Sequence, residues 1–379
     1  MDETIYYCAL NRIFGFKPDK SRLLLAQRAS AEEVFKMTQD ELFNILPNDY
    51  NERMKVNEKS VEEAASELDT LAKTGIKFIP ISSESYPPLL KECPNSPIGI
   101  YVRGQLPSIK RDCISIVGTR DISPYGTEWC NRIVQAISRC KERPAIISGF
   151  ALGTDITAHK AAIENGLPTI GIMASGPENI YPSRHTKFAN EICRMDECGL
   201  ITDYPTATAP LPIHFIRRNR IIAGMSKATI VIESRSRGGS LITATDAFNF
   251  NREVYALPGR IDDSRSQGCN WLIRNNMAET IETLDDLIKS LSFCMDRTIK
   301  KTFPDIEDIY KGDLGEDEIK DMNRILKTIQ EKRGLTNEEL SLALGIDIQK
   351  ISEYIALLEC DDFIYADLMG RYMINTKKM

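Results

Sequence analysis

Histidine is scarce in this chain: only His159, His185 and His214 occur, and none lies beside a cysteine pair. A zinc site needs four ligands at compact spacing. Cys193 and Cys198, the closest of the ten cysteines, have no such companions, so they read as core and no metal is expected. No run of about eighteen apolar residues occurs, and the opening MDETIYYCALNRIF carries acid where a signal peptide carries base. Neither export nor a membrane span is supported; cytoplasm is the expected location, with the cysteines reduced and mostly buried. The glycine motifs of nucleotide enzymes are missing too. There is no GxxxxGK[ST], and the first strand of the α/β region ends in GTRDIS where a dinucleotide fold carries GxGxxG. ATP hydrolysis and NAD binding therefore lack support, and no cofactor is expected.

What is present is a local reversal of charge. The chain has a net charge of -6 over 379 residues, yet residues 111–304 carry 24 basic against 21 acidic groups, while 305–379 carry 10 against 17. A polyanion should dock on the middle segment and avoid the tail. Within it, Phe215 to Ala244 puts Arg217, Arg218, Arg220, Lys227, Arg235 and Arg237 together with Glu233 as the only acid. Between the basic groups, Ala228–Glu233 is an apolar, β-branched run typical of a buried strand. Gly238, Gly239 and Ser240 follow, then a helical pattern over Leu241–Phe250. A glycine turn between a buried strand and a helix start offers bare N–H groups and the positive end of a helix dipole, and flanking arginines suggest that the anion is phosphate.

Residues 1 to about 75 show helical periodicity without strand signals, in segments near Ile5–Phe14, Ser21–Arg28, Ala31–Lys36, Gln39–Leu46 and Val61–Lys73. They read as a packing or dimerisation module. Residues 81–110 read as an extended lead-in. From Cys113 short apolar strands alternate with helices: strands at Cys113–Val117, Ala145–Ile147, Thr169–Met173, Leu200–Thr202, Ala228–Glu233 and Val254–Leu257, helices at Tyr125–Arg139, Ile156–Glu164, Thr186–Cys193 and Leu241–Phe250. This alternation predicts an α/β fold, a doubly wound, mostly parallel sheet with ligands beyond the carboxyl ends of its strands. The loops to inspect are then Gly118-Thr119-Arg120, Ser148-Gly149-Phe150 through Gly153, Ala174–Gly176, Ser234–Ser240 and Pro258–Arg260. A charged linker follows, then helices at Met322–Glu331, Thr336–Leu344 and Asp347–Glu359 and a hairpin over Phe363–Ile374, a winged-helix pattern. Its last helix sets Asp347, Glu353 and Glu359 against Lys350 alone, which points to a protein partner rather than DNA.

Arg120, just past a strand and a glycine, reads as a bidentate phosphate contact. In a helical Arg217-Arg218-Asn219-Arg220, successive side chains diverge by about 100°, so some must be structural. Phe215, at a loop exit beside them, is either a core anchor or a platform for base stacking. Ser148, Asp155 and His159 invite comparison with a catalytic triad, but Asp155 and His159 are one turn apart on one helix. They read as a hydrogen-bonded brace for the loop; no catalytic residue is expected.

These segments together resemble the DNA processing protein A (DprA/Smf) family. The likeness is carried by IVGTRDISPYG (116–126), SGFALGTDITAHKAAIENGLPTIGI (148–172), Tyr181-Pro182, FIRRNRIIAGMS (215–226), VIESRSRGGSLITATDA (231–247), REVYALPG (252–259) and GCNWLI (268–273). The resemblance implies a Rossmann-like domain that binds single-stranded DNA without a nucleotide cofactor, a homodimer, and delivery of a RecA-type recombinase onto the strand in natural transformation. It further implies a helical SAM-like domain over 1–80, the Rossmann-like domain over 81–293, a linker over 294–320 and a winged-helix-like domain over 321–379. Carried over by position, the DNA contacts are Gly118 and Arg120, Ser148 and Gly149, Phe215, Arg218 to Arg220, and Gly239 with Ser240. Thr119, Phe150, Arg217 and Arg237 join them as neighbours in the same loops. Phe150 and Thr154 depart from the smaller or aliphatic residues usual there, and Gly238 stands in place of a serine.

The expected function is a non-enzymatic binder of single-stranded DNA. One rival is a nucleotide-processing hydrolase with a PGGxGTxxE loop, which RGGSLITA resembles superficially without the glutamate. Another is a winged-helix transcription regulator.

Overall fold

The computed structural model describes residues 2–15, 17–294, 306–310, 312, 314–332, 334–367 and 370–374. The chain divides into two compact units, Met1–Asp296 and Arg297–Met379.

In the first unit, short apolar runs become strands, those from Cys113–Val117 to Ala228–Val231 buried along nearly all their length. The strands are β1 (Ile76–Pro80), β2 (Gly99–Gly104), β3 (Cys113–Val117), β4 (Ala145–Ser148), β5 (Thr169–Ile172), β6 (Gly199–Thr202), β7 (Ala228–Val231), β8 (Glu253–Ala256) and β9 (Glu279–Thr280). Among the described residues they form one sheet in the order β1-β2-β6-β5-β4-β3-β7-β8-β9. From β6 to β9 all pairings are parallel, with Ile114 opposite Ala228 and Val117 opposite Val231 in the central β3–β7 pair. Helices cover both faces, so side chains on either side of a strand meet apolar partners and near-continuous apolar sequence is required. Ile114, Ile116, Ile146 and Ile230 pack with the helix Pro124–Ser138 on one face; Val117, Ile147, Ile172 and Val231 pack with the helix Pro212–Met225 on the other. The polar groups Ser115 and Thr229, buried in the middle of the sheet, satisfy each other at 2.7 Å across β3 and β7.

The expected parallel strands are present, with ends within two residues of those expected. The lead-in differs: Gly99–Gly104 is an antiparallel strand of the sheet, paired with β6 on one side and β1 on the other. β1 also falls at the end of the segment expected to be purely helical. Its Phe78 packs edge-on to Tyr101 at 4.9 Å, and both rings share a core with Tyr6, Leu10, Phe14 and Leu71 of the helical array. The array, with helices at Glu3–Phe14, Pro18–Leu25, Gln39–Ile45 and Glu58–Ala72 among them, thus packs on this antiparallel margin, and a boundary at residue 80 would cut a common core.

In the second unit the helices Glu316–Glu331, Asn337–Leu344 and Ile348–Cys360 precede a two-stranded hairpin of Ile364–Ala366 with Tyr372–Ile374. Met322, Ile325, Leu340, Ile351, Tyr354 and Phe363 are among its core. Residues 295–305, 311 and 313 of the expected linker lie outside the described residues. Its remainder includes helix: Ile306–Tyr310, and a first long helix starting at Glu316 because Ile319 continues the buried face of Met322 and Leu326.

Candidate nucleic-acid interface

Strand order reverses at β3, whose successor β4 lies on one side while β7 lies on the other. Loops leaving β3 and β7 at their carboxyl ends therefore diverge and open a crevice. A cleft of about 710 Å³ lies there, lined among others by Gly118, Thr119, Arg120, Phe215, Arg218, Asn219, Arg237, Gly239 and Ser240. Of the expected site residues, these nine line it. Ser148, Gly149, Phe150, Arg217 and Arg220 do not.

Phe215 is the centre of the cleft. The expectation of a loop exit is corrected: Pro212, with no N–H to lose, starts a fourteen-residue helix over Pro212–Met225, and Phe215 stands on its first turn. The ring is half-buried. The Arg120 guanidinium lies over it at 4.8 Å, that of Arg218 at 5.9 Å, and Tyr181 meets it edge-on at 5.5 Å. Two positive charges, one from the loop after β3 and one from the helix that carries Phe215, and two aromatic rings thus converge. Arg120 is exposed and forms no ion pair among the described residues.

Arg218 and Arg220 have other partners. Arg218 is 3% exposed, and its Nη1 donates to the carbonyl oxygens of Gly149 and Ile172 while Nε donates to Asn219 at 3.2 Å. Burial pushes its pKa down to about 10, and the nearby Asp155 carboxylate opposes that shift. Arg220 donates to Asp203 at 2.6 Å, both side chains being buried. The expected direct phosphate contacts of these two arginines are corrected accordingly: Arg218 supplies charge from beneath the cleft floor, and Arg220 ties its helix to the end of β6. Asn219 donates to the Gly239 carbonyl at 3.2 Å, pinning the helix to the turn after β7.

Phe150 is also corrected, since its ring is fully buried. It packs with Met173, Ile180 and Leu200, in space that exists because position 171 is glycine; a Cβ there would stand 2.7 Å from the ring. Gly149 has a related role, as a Cβ would come within 2.5 Å of Asp155 and 2.7 Å of Arg218. Ser148 is fully buried, and its hydroxyl donates to the Ile116 carbonyl at 2.6 Å. This loop shapes the floor of the site.

After β7, Gly238 caps the helix Gly239–Asn249 without a side-chain acceptor, and Gly239 faces open space. First-turn N–H groups and the helix dipole favour an anion at such a start. Arg237 is exposed beside it. Glu233, the acid within the basic stretch, is 1% exposed and accepts from the N–H and hydroxyl of Ser123 at 2.9 and 2.5 Å. Its charge caps the loop ahead of the helix Pro124–Ser138 and is turned away from the exposed arginines.

Of the three residues compared with a triad, Ser148 and Asp155 lie together and His159 is engaged elsewhere. Asp155 accepts from the Ala151 N–H at 3.3 Å, and His159 pairs with Thr169 at 2.7 Å rather than with Asp155. Desolvation drives the His159 pKa from 6.5 down to about 3. Because the folded value lies below the unfolded one, the stabilisation is present above about pH 6.5 and is lost as pH falls from there toward 3. Asp246, raised by burial to about 6, has the opposite sign over its own range. Replacing His159 by glutamine should flatten the acid limb of a stability-versus-pH curve between about 6.5 and 3. Denaturant melts across that range check it, and an unchanged limb would remove His159 as its cause.

Sequence reasoning did not select Tyr181, Asp121 or Arg265 for the site. Tyr181 had a signal only in the family-like Tyr-Pro pair, whereas Arg265 follows Asp262 and Asp263 and looks locally neutral.

Comparison with known proteins adds the family. Residues 77–292 match the model of DNA recombination-mediator protein A, and residues 323–365 match a winged helix-turn-helix DNA-binding family. The chain is similar to protein Smf of Escherichia coli K12, 35% identical over 236 residues, covering 62% of this chain and 61% of that one. The match thus spans about three fifths of that relative's length. Among solved structures it is similar to DNA processing protein A of Streptococcus pneumoniae, with TM-score 0.63, 27% identity and coverage of 76% of this chain and 98% of that one. It is also similar to DNA processing protein A of Helicobacter pylori, studied for its single-stranded DNA binding mode, with TM-score 0.50, 25% identity and coverage of 57% and 95%.

Proposed function

Because this chain belongs to the DNA recombination-mediator protein A family, we propose that the cleft between the β3 and β7 loops binds single-stranded DNA. The observation that carries this reading is the meeting of Arg120, Arg218 and Tyr181 on the Phe215 ring. An unpaired base has a face to stack on an aromatic ring, whereas a base inside a duplex does not, and arginine serves the adjoining phosphate. The reading is of a binder, not an enzyme, and is supported by the pairing of His159 with Thr169 rather than Asp155, by the Ser148 hydroxyl donating to the Ile116 carbonyl and by the lack of a glutamate after Arg237-Gly238-Gly239. Assembly as a homodimer and delivery of a RecA-type recombinase onto the strand, in the cytoplasm, complete the proposal. The first is supported by Ile242, Phe248 and Trp271, large apolar side chains left exposed; the second rests on family membership. Sedimentation of the free chain and recombinase loading onto coated strands test these two parts.

The central test is fluorescence anisotropy of the full chain with one sequence as single strand and as duplex. Tighter binding of the single strand is expected, and it should persist when residues after 296 are deleted, since the first unit has its own cores. Equal binding of duplex would remove the stacking argument. Loss of all binding on truncation would favour the transcription-regulator reading.

A further inference from the structure

We propose that Arg235 and Arg265, held on the carboxylate of Asp121, form a second phosphate station that extends the strand's path beyond the cleft; the proposal rests on the single-strand reading. Asp121 Oδ2 accepts from Arg265 Nη2 at 2.9 Å and from Arg235 Nη2 at 3.2 Å. Two guanidinium groups share one carboxylate, which leaves a net positive charge. The three side chains remain 59% exposed at Arg235, 33% at Arg265 and 62% at Asp121, so solvent and ligand reach them.

The station is built from the loops after β3, β7 and β8, and its backbone is fixed. Arg265 Nε donates to the Asp121 carbonyl at 2.9 Å, the Arg265 carbonyl accepts from the Ser234 N–H at 2.7 Å, and the Arg265 N–H donates to Asp263 at 2.9 Å. It is also contiguous with the first site: Asp121 directly follows Arg120, and Arg235 itself lines the cleft. A strand whose base rests on Phe215 and whose phosphate meets Arg120 therefore runs onto Asp121 and its two arginines. Exposed ion pairs are weak, and a phosphodiester accepts two parallel N–H bonds from a guanidinium as a carboxylate does. Phosphate takes the place of Asp121 on the arginines. In the free protein the carboxylate keeps them aligned and away from Arg120; in the complex it opposes the strand.

Anisotropy titrations of the full chain with oligothymidylates of about 4 to about 16 nucleotides test this. Arg265→Ala, outside the cleft lining, should bind the long strands several-fold more weakly and the shortest as wild type does, with the dependence of log affinity on log salt shallower by about 0.7 for one phosphate, and the double variant Arg235→Ala/Arg265→Ala should bind the long strands roughly tenfold more weakly with a slope shallower by about 1.4. Asp121→Asn should tighten long-strand binding several-fold at low salt. Arg235→Ala alone, at the more exposed position, serves if the double variant melts early, and should show part of the long-strand loss. Long strands bound as tightly by the arginine variants as by wild type, or short strands losing as much as long ones, would overturn the station while leaving the cleft. A wild-type chain that binds no single strand would instead overturn the reading beneath it.

Discussion

Arg218→Ala is expected to lose about 3–5 kcal/mol of folding stability, the range for removing one partner from a buried charge network. Its guanidinium donates to two carbonyl oxygens from different strand ends and offsets the buried Asp155. Alanine leaves both carbonyls without that donor and the carboxylate without its largest compensating charge. Arg218→Lys should recover only part of the loss, because one ammonium on a flexible stem does not reproduce the guanidinium fork. The sign with pH distinguishes this from simple cavity formation. Burial already raises the Asp155 pKa above its usual 3.8, and removing Arg218 raises it further, so the penalty should shrink as pH falls and Asp155 takes up a proton. Urea melts at several pH values measure it; a loss under about 1 kcal/mol, or a penalty independent of pH, would show that Arg218 is not holding the floor.

Arg120→Ala should leave stability nearly unchanged and weaken single-strand binding about tenfold to a hundredfold, as expected when a charged hydrogen bond is lost. The loss should be similar for different base compositions, since phosphate contacts carry no sequence information. The slope of log affinity against log salt should fall by about 0.7, the contribution of one phosphate on a single strand. Arg120→Lys separates charge from geometry: it keeps the cation but loses the planar guanidinium that lies over Phe215, and should lie between wild type and alanine. Titrations at several salt concentrations give both quantities. Selective loss for one sequence, or an unchanged salt slope, would count against a phosphate role.

How far these features were legible depended on whether local sequence carried the determining contact. β3 and β5 can be placed from sequence because buried parallel strands are written as short, mostly apolar runs next to a glycine or proline. β1 and β2 were harder, since Ile76-Lys77-Phe78 is too short a pattern to announce a strand and its partners lie far along the chain. The spacing of Arg217, Arg218, Asn219 and Arg220 does show that they cannot all face one ligand. Which of them turn inward depends on carbonyls at Gly149 and Ile172 and on Asp203, which no local periodicity contains. Arginine normally argues for the surface, and here that rule fails where charge is placed beneath a binding floor. The cleft itself was foreseeable from the order of strands and loops, whereas Arg265 was hidden by its acidic neighbours.

The antiparallel margin described above has a bearing on self-association. At one rim of the sheet β1 is only five residues long, carries Lys77 outward and ends in Pro80; at the other, β9 offers two residues. Short length, lysine and proline all discourage another chain from adding its own strand by backbone pairing. Copies of this unit that associate are thus directed toward recognition through side-chain surfaces, where substitution can tune specificity without rebuilding the sheet.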